Sequence, residues 1–187
     1  MITLFEVNEQ NYTDILALRL HEEQERFLDR PAGILIRGYV YRADRARVIG
    51  IALKEQVIGV ALVRDLDEEP ACYDLQQFMI DRRFQNQGYG TEALERILSR
   101  LAGEGKYGQT EVCVNRANAA ALRMFEKAGF TDTGYIDESL PDCKNLMYRF
   151  HREEKTYRDL LLSDFSHPLF QSAFRQYFAE LGISVRD

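Results

Sequence analysis

There is no tryptophan in this chain, and cysteine, histidine and proline are scarce: three, three and four residues in 187. The cysteines, Cys72, Cys113 and Cys143, are odd in number and form no CxxC pair, and His21, His151 and His167 lie far apart. Neither a disulfide frame nor a metal site is expected from them. A basic surplus is absent too. With 24 Lys and Arg against 30 Asp and Glu the net charge is -6, which argues against a nucleic-acid partner, because phosphates would go unneutralised. No apolar stretch has the length of a membrane span or the pattern of a secretory signal, so the expectation is a cytoplasmic protein with no membrane partner.

What is present is a hydrophobic content of 45%, enough for one substantial core. The organisation expected is a mixed α/β domain over residues 1–150, followed by a separate helical element over 151–187. "ITLFEV" reads as an opening strand, and "NYTDILALRLHEEQERFL" as a helix or helix pair. "PAGILIRGYVYRADRA" is compatible with both helical and strand periods. "VIGIAL" and "VIGVALV" stand at hairpin spacing, and "LQQFMI" follows the acidic loop "RDLDEEPACYD" as a further strand. The next helix carries Ala93, Leu94, Ile97, Leu98 and Leu101 on one face and ends at Gly103 and Gly105. "TEVCV" reads as a strand, "NAAALRMFEKAG" as a helix capped by Asn118, and "FTDTGYI" and "NLMYRF" complete the domain. Near the C-terminus, Phe170, Phe174, Tyr177, Phe178 and Leu181 form one stripe, predicting an amphipathic helix that packs on its own domain or on a dimer mate.

The chemistry is concentrated in "DRRFQNQGYGTEA", a glycine loop between strand and helix. Such a turn leaves backbone N–H groups unpaired at the positive end of a helix dipole, which suits a phosphate or pyrophosphate. A P-loop requires Gly-Lys-Ser/Thr at the helix start, and no lysine stands there. "GYGTEA" satisfies the dinucleotide pattern GxGxxG/A, and Glu111 stands where a ribose-binding acid belongs. Seven residues, however, separate Ile80 from Gly88, where that fold has its first glycine close behind the strand.

A third pattern, Gln/Arg-x-x-Gly-x-Gly/Ala, is filled by Gln85-Asn86-Gln87-Gly88-Tyr89-Gly90. With "VNRANAAALRMFEKAGF" downstream, from Val114 to Phe130, the chain resembles the GNAT superfamily of acyl-CoA-dependent N-acetyltransferases, and within it the diamine and polyamine enzymes. The resemblance implies a mainly antiparallel sheet flanked by helices, with acetyl-CoA as the acyl donor. It implies that Phe78, Met79 and Ile80 meet the pantetheine arm, that Gln85, Asn86, Gln87, Gly88, Tyr89, Gly90 and Thr91 hold the pyrophosphate through their backbone, and that Asn118 bonds the pantetheine or thioester end. Arg123 and Phe125 border the same cofactor by the same comparison, and Arg82, Arg83 and Arg123 are either phosphate contacts or solvated surface.

Acetyl transfer needs a neutral amine, an oxyanion donor and a proton source for the thiolate. By resemblance the Ile80 amide is the oxyanion donor. The carboxylate that polyamine enzymes carry is replaced here by Gln76, and Asp74, two residues earlier on the same strand face, is the substitute base. The usual general-acid tyrosine is replaced by Phe125. Two acidic runs, Glu22 to Asp29 and Asp65 to Asp74, are expected to flank the acceptor cleft and attract a cationic amine such as spermidine or spermine. A solvated face fits the same charges. A non-catalytic acyl-CoA-binding module and a protein N-acetyltransferase are the alternatives.

Overall fold

In the computed structural model, residues 1–150 are described. The expected terminal element over 151–187 and its amphipathic helix lie outside the described residues.

Alternation of apolar side chains builds a seven-stranded sheet. The strands are β1 (Ile2–Glu6), β2 (Arg47–Leu53), β3 (Gln56–Leu66), β4 (Cys72–Ile80), β5 (Gln109–Asn115), β6 (Thr131–Asp132) and β7 (Cys143–Arg149). Their order across the sheet is β1-β2-β3-β4-β5-β7-β6. Every pairing is antiparallel except β4 with β5. Among the described residues, four α-helices, α1 (Tyr12–Leu16), α2 (Pro31–Val40), α3 (Tyr89–Glu104) and α4 (Ala119–Lys127), and three short 3-10 turns accompany the sheet. This is the expected mixed, mainly antiparallel α/β architecture.

Both faces of the sheet are covered, which is why β3 reads as a nearly unbroken apolar run. Ala61 and Val63 face one layer, with Tyr73, Leu75 and the α3 residues Ala93, Leu94, Ile97, Leu98 and Leu101. Val60 and Leu62 face the other, with Met79, Ile15, Leu18 and Ile34. Each large side chain removed from water in these layers contributes about 1.5–3 kcal/mol. The segment ambiguous by period, Pro31 onward, is helix: proline takes a first-turn position, and Ile34 and Gly38 bury one face. "FTDTGYI" yields only the two residues of β6, because the Asp132 carboxylate accepts the Gly134 N–H at 2.9 Å and turns the chain away.

One irregularity positions the site. Leu62 pairs with Gln77 but Val63 with Leu75, so Gln76 is an extra residue, a β-bulge on β4. The bulge flips the parity of the strand. Tyr73 and Leu75 face the α3 layer before it, and Phe78 and Ile80 face the same layer after it.

Candidate functional site

β4 and β5 pair only at Tyr73 with Thr110 and Asp74 with Glu111. Beyond those two rungs the strands diverge, and a wedge opens between them. The Asp81 N–H donates to the Ile58 carbonyl at 2.8 Å. Because antiparallel pairs alternate, Met79 and Gln77 also turn their backbone groups toward β3, while Phe78 and Ile80 turn theirs into the wedge. The Ile80 carbonyl is taken by Gln85 Nε2 at 2.8 Å. The N–H groups of Phe78 and Ile80 face the wedge, where no strand among the described residues pairs with them.

At the mouth of the wedge the chain makes a single turn, Arg82–Phe84, capped by Asp81, whose carboxylate accepts the Arg83 N–H. Asn86 and Gly88 then adopt left-handed backbone, with φ of 59° and 84°. This contortion, natural to glycine and tolerated by asparagine, aims successive amides outward. The first intrahelical bond of α3 is from Glu92 N–H to the Gly88 carbonyl, and Gly88 supplies no side-chain cap. Tyr89, Gly90 and Thr91 therefore have amides without helical partners, at the positive end of a sixteen-residue helix.

A cavity of about 270 Å³ lies against this helix start. Of the residues expected at the donor site, Phe78, Met79, Ile80, Gln85, Asn86, Gly88, Gly90, Thr91 and Asn118 line it. The other four stand off its wall. The Gln87 side chain bonds the Arg83 carbonyl, Tyr89 packs on the core, Arg123 is exposed, and Phe125 is buried edge-on against Phe78 and Phe130. Met124 lines the cavity in place of its two neighbours in sequence. Helical spacing from Asn118 would have found Ala121 and Met124. Asn118 itself accepts the Ala121 N–H at 3.2 Å, so capping and lining are done by one side chain. Leu20, Gln24 and Leu28 also line it, from a segment about sixty residues earlier. Nothing local in the sequence signals that approach.

A second cavity, of about 390 Å³, shares Leu20, Leu28 and Met79 with the first. Its wall is largely apolar, with Leu16, Leu18 and Pro31, and carries the charged groups Arg19, Glu25, Asp29 and Arg30. Half of the acidic run expected here is neutralised: Glu25 pairs with Arg30 at 2.9 Å and Asp29 with Arg37 at 2.5 Å. The second acidic run is at the other end of β4. There Asp65 is held by Arg45, Arg47 and Lys106, and Asp67 by Lys106 and Tyr107. Burial pushes the Asp65 carboxyl up, but these cations outweigh it and hold it below the usual range.

Asp74 sits at the root of the wedge. Its Oδ2 accepts Arg64 Nε at 2.8 Å, and burial raises its carboxyl above the ordinary range against that pull. Glu111, its register partner, is likewise raised by burial, with Asn145 acting the other way. Asp74 lines neither cavity. It is six residues from Ile80 along β4, about 20 Å at roughly 3.3 Å per residue. The structure thus does not bring the two residues expected at the reacting carbonyl together. Between them, the buried Gln76 Oε1 has no hydrogen-bond partner, an acceptor that a bound donor would satisfy. Among the described residues no helix is long and apolar enough to cross a membrane.

Residues 5–130 match the Acetyltransferase (GNAT) family. The chain is similar to the spermine/spermidine N(1)-acetyltransferase of Bacillus subtilis (strain 168), 25% identical over 130 residues, which are 70% of this chain and 78% of that protein. In three dimensions it is similar to a spermidine N-acetyltransferase from Vibrio cholerae solved with CoA and spermine, with a TM-score of 0.64 at 15% identity over 79% of this chain and 95% of that one. An aminoglycoside acetyltransferase solved with coenzyme A gives a TM-score of 0.66 at 16% identity, over 80% of this chain and 95% of that one. At those identities the structural likeness is one of fold.

Proposed function

The chain belongs to the acetyltransferase (GNAT) family, and we propose that it moves the acetyl group of acetyl-CoA to a primary amine of a small acceptor such as spermidine or spermine. The observation that carries this reading is the wedge: two unpaired N–H groups on β4 lead from a helix N-terminus rich in free amides into a cavity that meets a second one. The residues present fit an acyl-CoA. Amides from Asn86 to Thr91 suit a pyrophosphate, and the N–H groups of Phe78 and Ile80 suit an extended amide-bearing arm laid along β4 as an added strand. When bound, the thioester supplies an activated acetyl carbon and a thiolate leaving group.

The chain's own work is to bind, orient and take a proton. Phe78 N–H, the free amide nearer Asp74, is aimed to polarise a carbonyl oxygen in the wedge. Asp74, at the root and four residues from Phe78 along β4, takes the amine's proton through a file of waters in the wedge, because its carboxyl, raised by burial, is a stronger base than a solvated one. Gln76 Oε1 accepts a hydrogen bond from the entering amine or from that water. The polyamine assignment is supported by the named relative in Bacillus subtilis. A second acceptor class, an amine on an apolar body such as a peptide N-terminus, is favoured by the wall itself: Glu25 and Asp29 already have arginine partners, and most of the other lining residues are apolar.

The test is release of free coenzyme A from acetyl-CoA with spermidine, spermine and a panel of peptides, beside an Asp74→Asn variant. Saturable release with a polyamine, reduced about 10²–10⁴-fold in the variant, is expected. Release with peptides alone would move the acceptor to the second class. Binding of acetyl-CoA without transfer to any amine would leave a non-catalytic module.

A further inference from the structure

The segment from His21 to Gly33 contains no buried residue, yet it forms a wall of both cavities. Apolar packing holds it only through the half-buried Leu28, one tie runs to β4 from the Asp29 N–H to Gln77 Oε1 at 3.1 Å, and the remaining ties run to the glycine loop and the turn before it. The strongest tie joins two glutamines 61 residues apart. Gln24 Nε2 donates to Gln85 Oε1 and Gln85 Nε2 donates to Gln24 Oε1, both at 2.9 Å. The clasp is tied further at both ends. The second proton of Gln85 Nε2 goes to the Ile80 carbonyl at 2.8 Å, and Gln24 Oε1 also receives the His21 N–H at 3.3 Å. A second tie lies five residues earlier: Arg19 N–H donates to Asp81 Oδ2 at 2.9 Å, and Arg82 N–H to the Arg19 carbonyl at 2.8 Å.

We propose that Gln24 is a positioning residue, through which filling of the donor cavity orders the acceptor-side segment 19–29 and so completes the acceptor cavity. The inference rests on the acyl-CoA reading of the donor cavity. Its physical basis is a shared side chain. Gln85 belongs to the loop that would hold the pyrophosphate, so whatever restricts that loop also restricts the rotamer of Gln85. Gln24 keeps its two reciprocal bonds only while its backbone stays within reach of the Gln85 amide. Glu25, Leu28 and Asp29, which shape the second cavity, follow within five residues. Coupling between the two sites then needs no movement of the sheet, only the ordering of a segment whose apolar anchors are Leu20 and the half-buried Leu28. The same clasp predicts the reciprocal effect, tighter donor binding when the acceptor cavity is filled.

The test is hydrogen exchange on the full chain with and without coenzyme A, which needs no knowledge of the acceptor. In the wild-type protein, coenzyme A is expected to slow exchange in peptides covering 85–92 and in those covering 19–29, the latter at least about fivefold. In Gln24→Leu, at coenzyme A concentrations that saturate the variant, it should still slow 85–92 and leave 19–29 unchanged. Protection confined to 85–92 in the wild type would overturn the coupling and leave the donor reading intact. Protection of neither stretch would overturn the donor reading, and the coupling with it. Protection of 19–29 in Gln24→Leu equal to wild type would remove Gln24 from the role. Should Gln24→Leu exchange fully over 19–29 before coenzyme A is added, Gln24→Glu decides, since it keeps an oxygen for Gln85 Nε2 and His21 N–H. Ligand-dependent protection restored there supports the proposal, and its absence overturns it.

Discussion

Asp81 shows how much one buried side chain can organise. Only 1% exposed, its carboxylate receives the backbone N–H groups of Arg19 and Arg83 and the Arg83 guanidinium. Burial by itself would raise its carboxyl, but those bonds prevail and hold it below the usual range. A carboxyl depressed in the folded state contributes stability that is present above the ordinary carboxylate range and is lost as pH falls below it. Asp81→Ala should cost about 2–3 kcal/mol, and its stability deficit against wild type, read by denaturant titration, should shrink as pH is lowered through that range. A deficit constant from pH 7 to pH 3 would contradict this. Gln76 carries a smaller expectation. Its Oε1 is buried without a partner, while its side chain helps hold the buried Asp74 carboxyl down, so Gln76→Leu should change stability by no more than about 1 kcal/mol while lowering transfer rate. Arg64 sets the base. Its bond to Asp74 opposes the rise caused by burial, so Arg64→Gln should move the acidic limb of the kcat/KM profile to higher pH, the ionised form being the one that accepts a proton.

At the level of elements, the wedge depends on how β4 lies on β3. Gly59 faces Ile80 across that pair, and a Cβ there would stand 2.5 Å from the Met79 carbonyl oxygen and 2.8 Å from Ile80 Cδ1. The first of these neighbours is backbone and cannot rotate away. Gly59→Ala should therefore push β4 outward and cost about 1–3 kcal/mol, with weaker donor binding as the companion effect, measurable by calorimetry with coenzyme A. The glycine loop and α3 were legible in the sequence because spacing of Gly88 and Gly90 before an amphipathic run has a local cause. The bulge at Gln76 was not. Period two through "DLQQFMI" places Phe78 with Gln76, whereas the extra residue sends Phe78 and Ile80 to the α3 layer. Strand pairing with β3, a long-range event, decides it.

For the described molecule as a whole, a ligand held by the loop, the wedge and the 19–29 segment would bind the folded chain alone. Coenzyme A at a hundred times its dissociation constant should then stabilise the protein by about 2.7 kcal/mol, a rise of roughly 5–10 °C in Tm. An unchanged Tm at saturating concentration would count against the donor reading. What the amino-acid order determined by itself had short-range causes: most of the strand and helix alternation, the anion-suited loop and the cap at Asn118. The tertiary structure alone decided which charges meet. It divided the two acidic runs, gave Glu25, Asp29, Asp65 and Asp74 their basic partners, set Asp74 at the root of the wedge away from Ile80, and brought Gln24 to Gln85. Ion pairs and amide clasps join residues by distance in space, and a chain's local pattern carries no record of which distant segments its sheet will draw together.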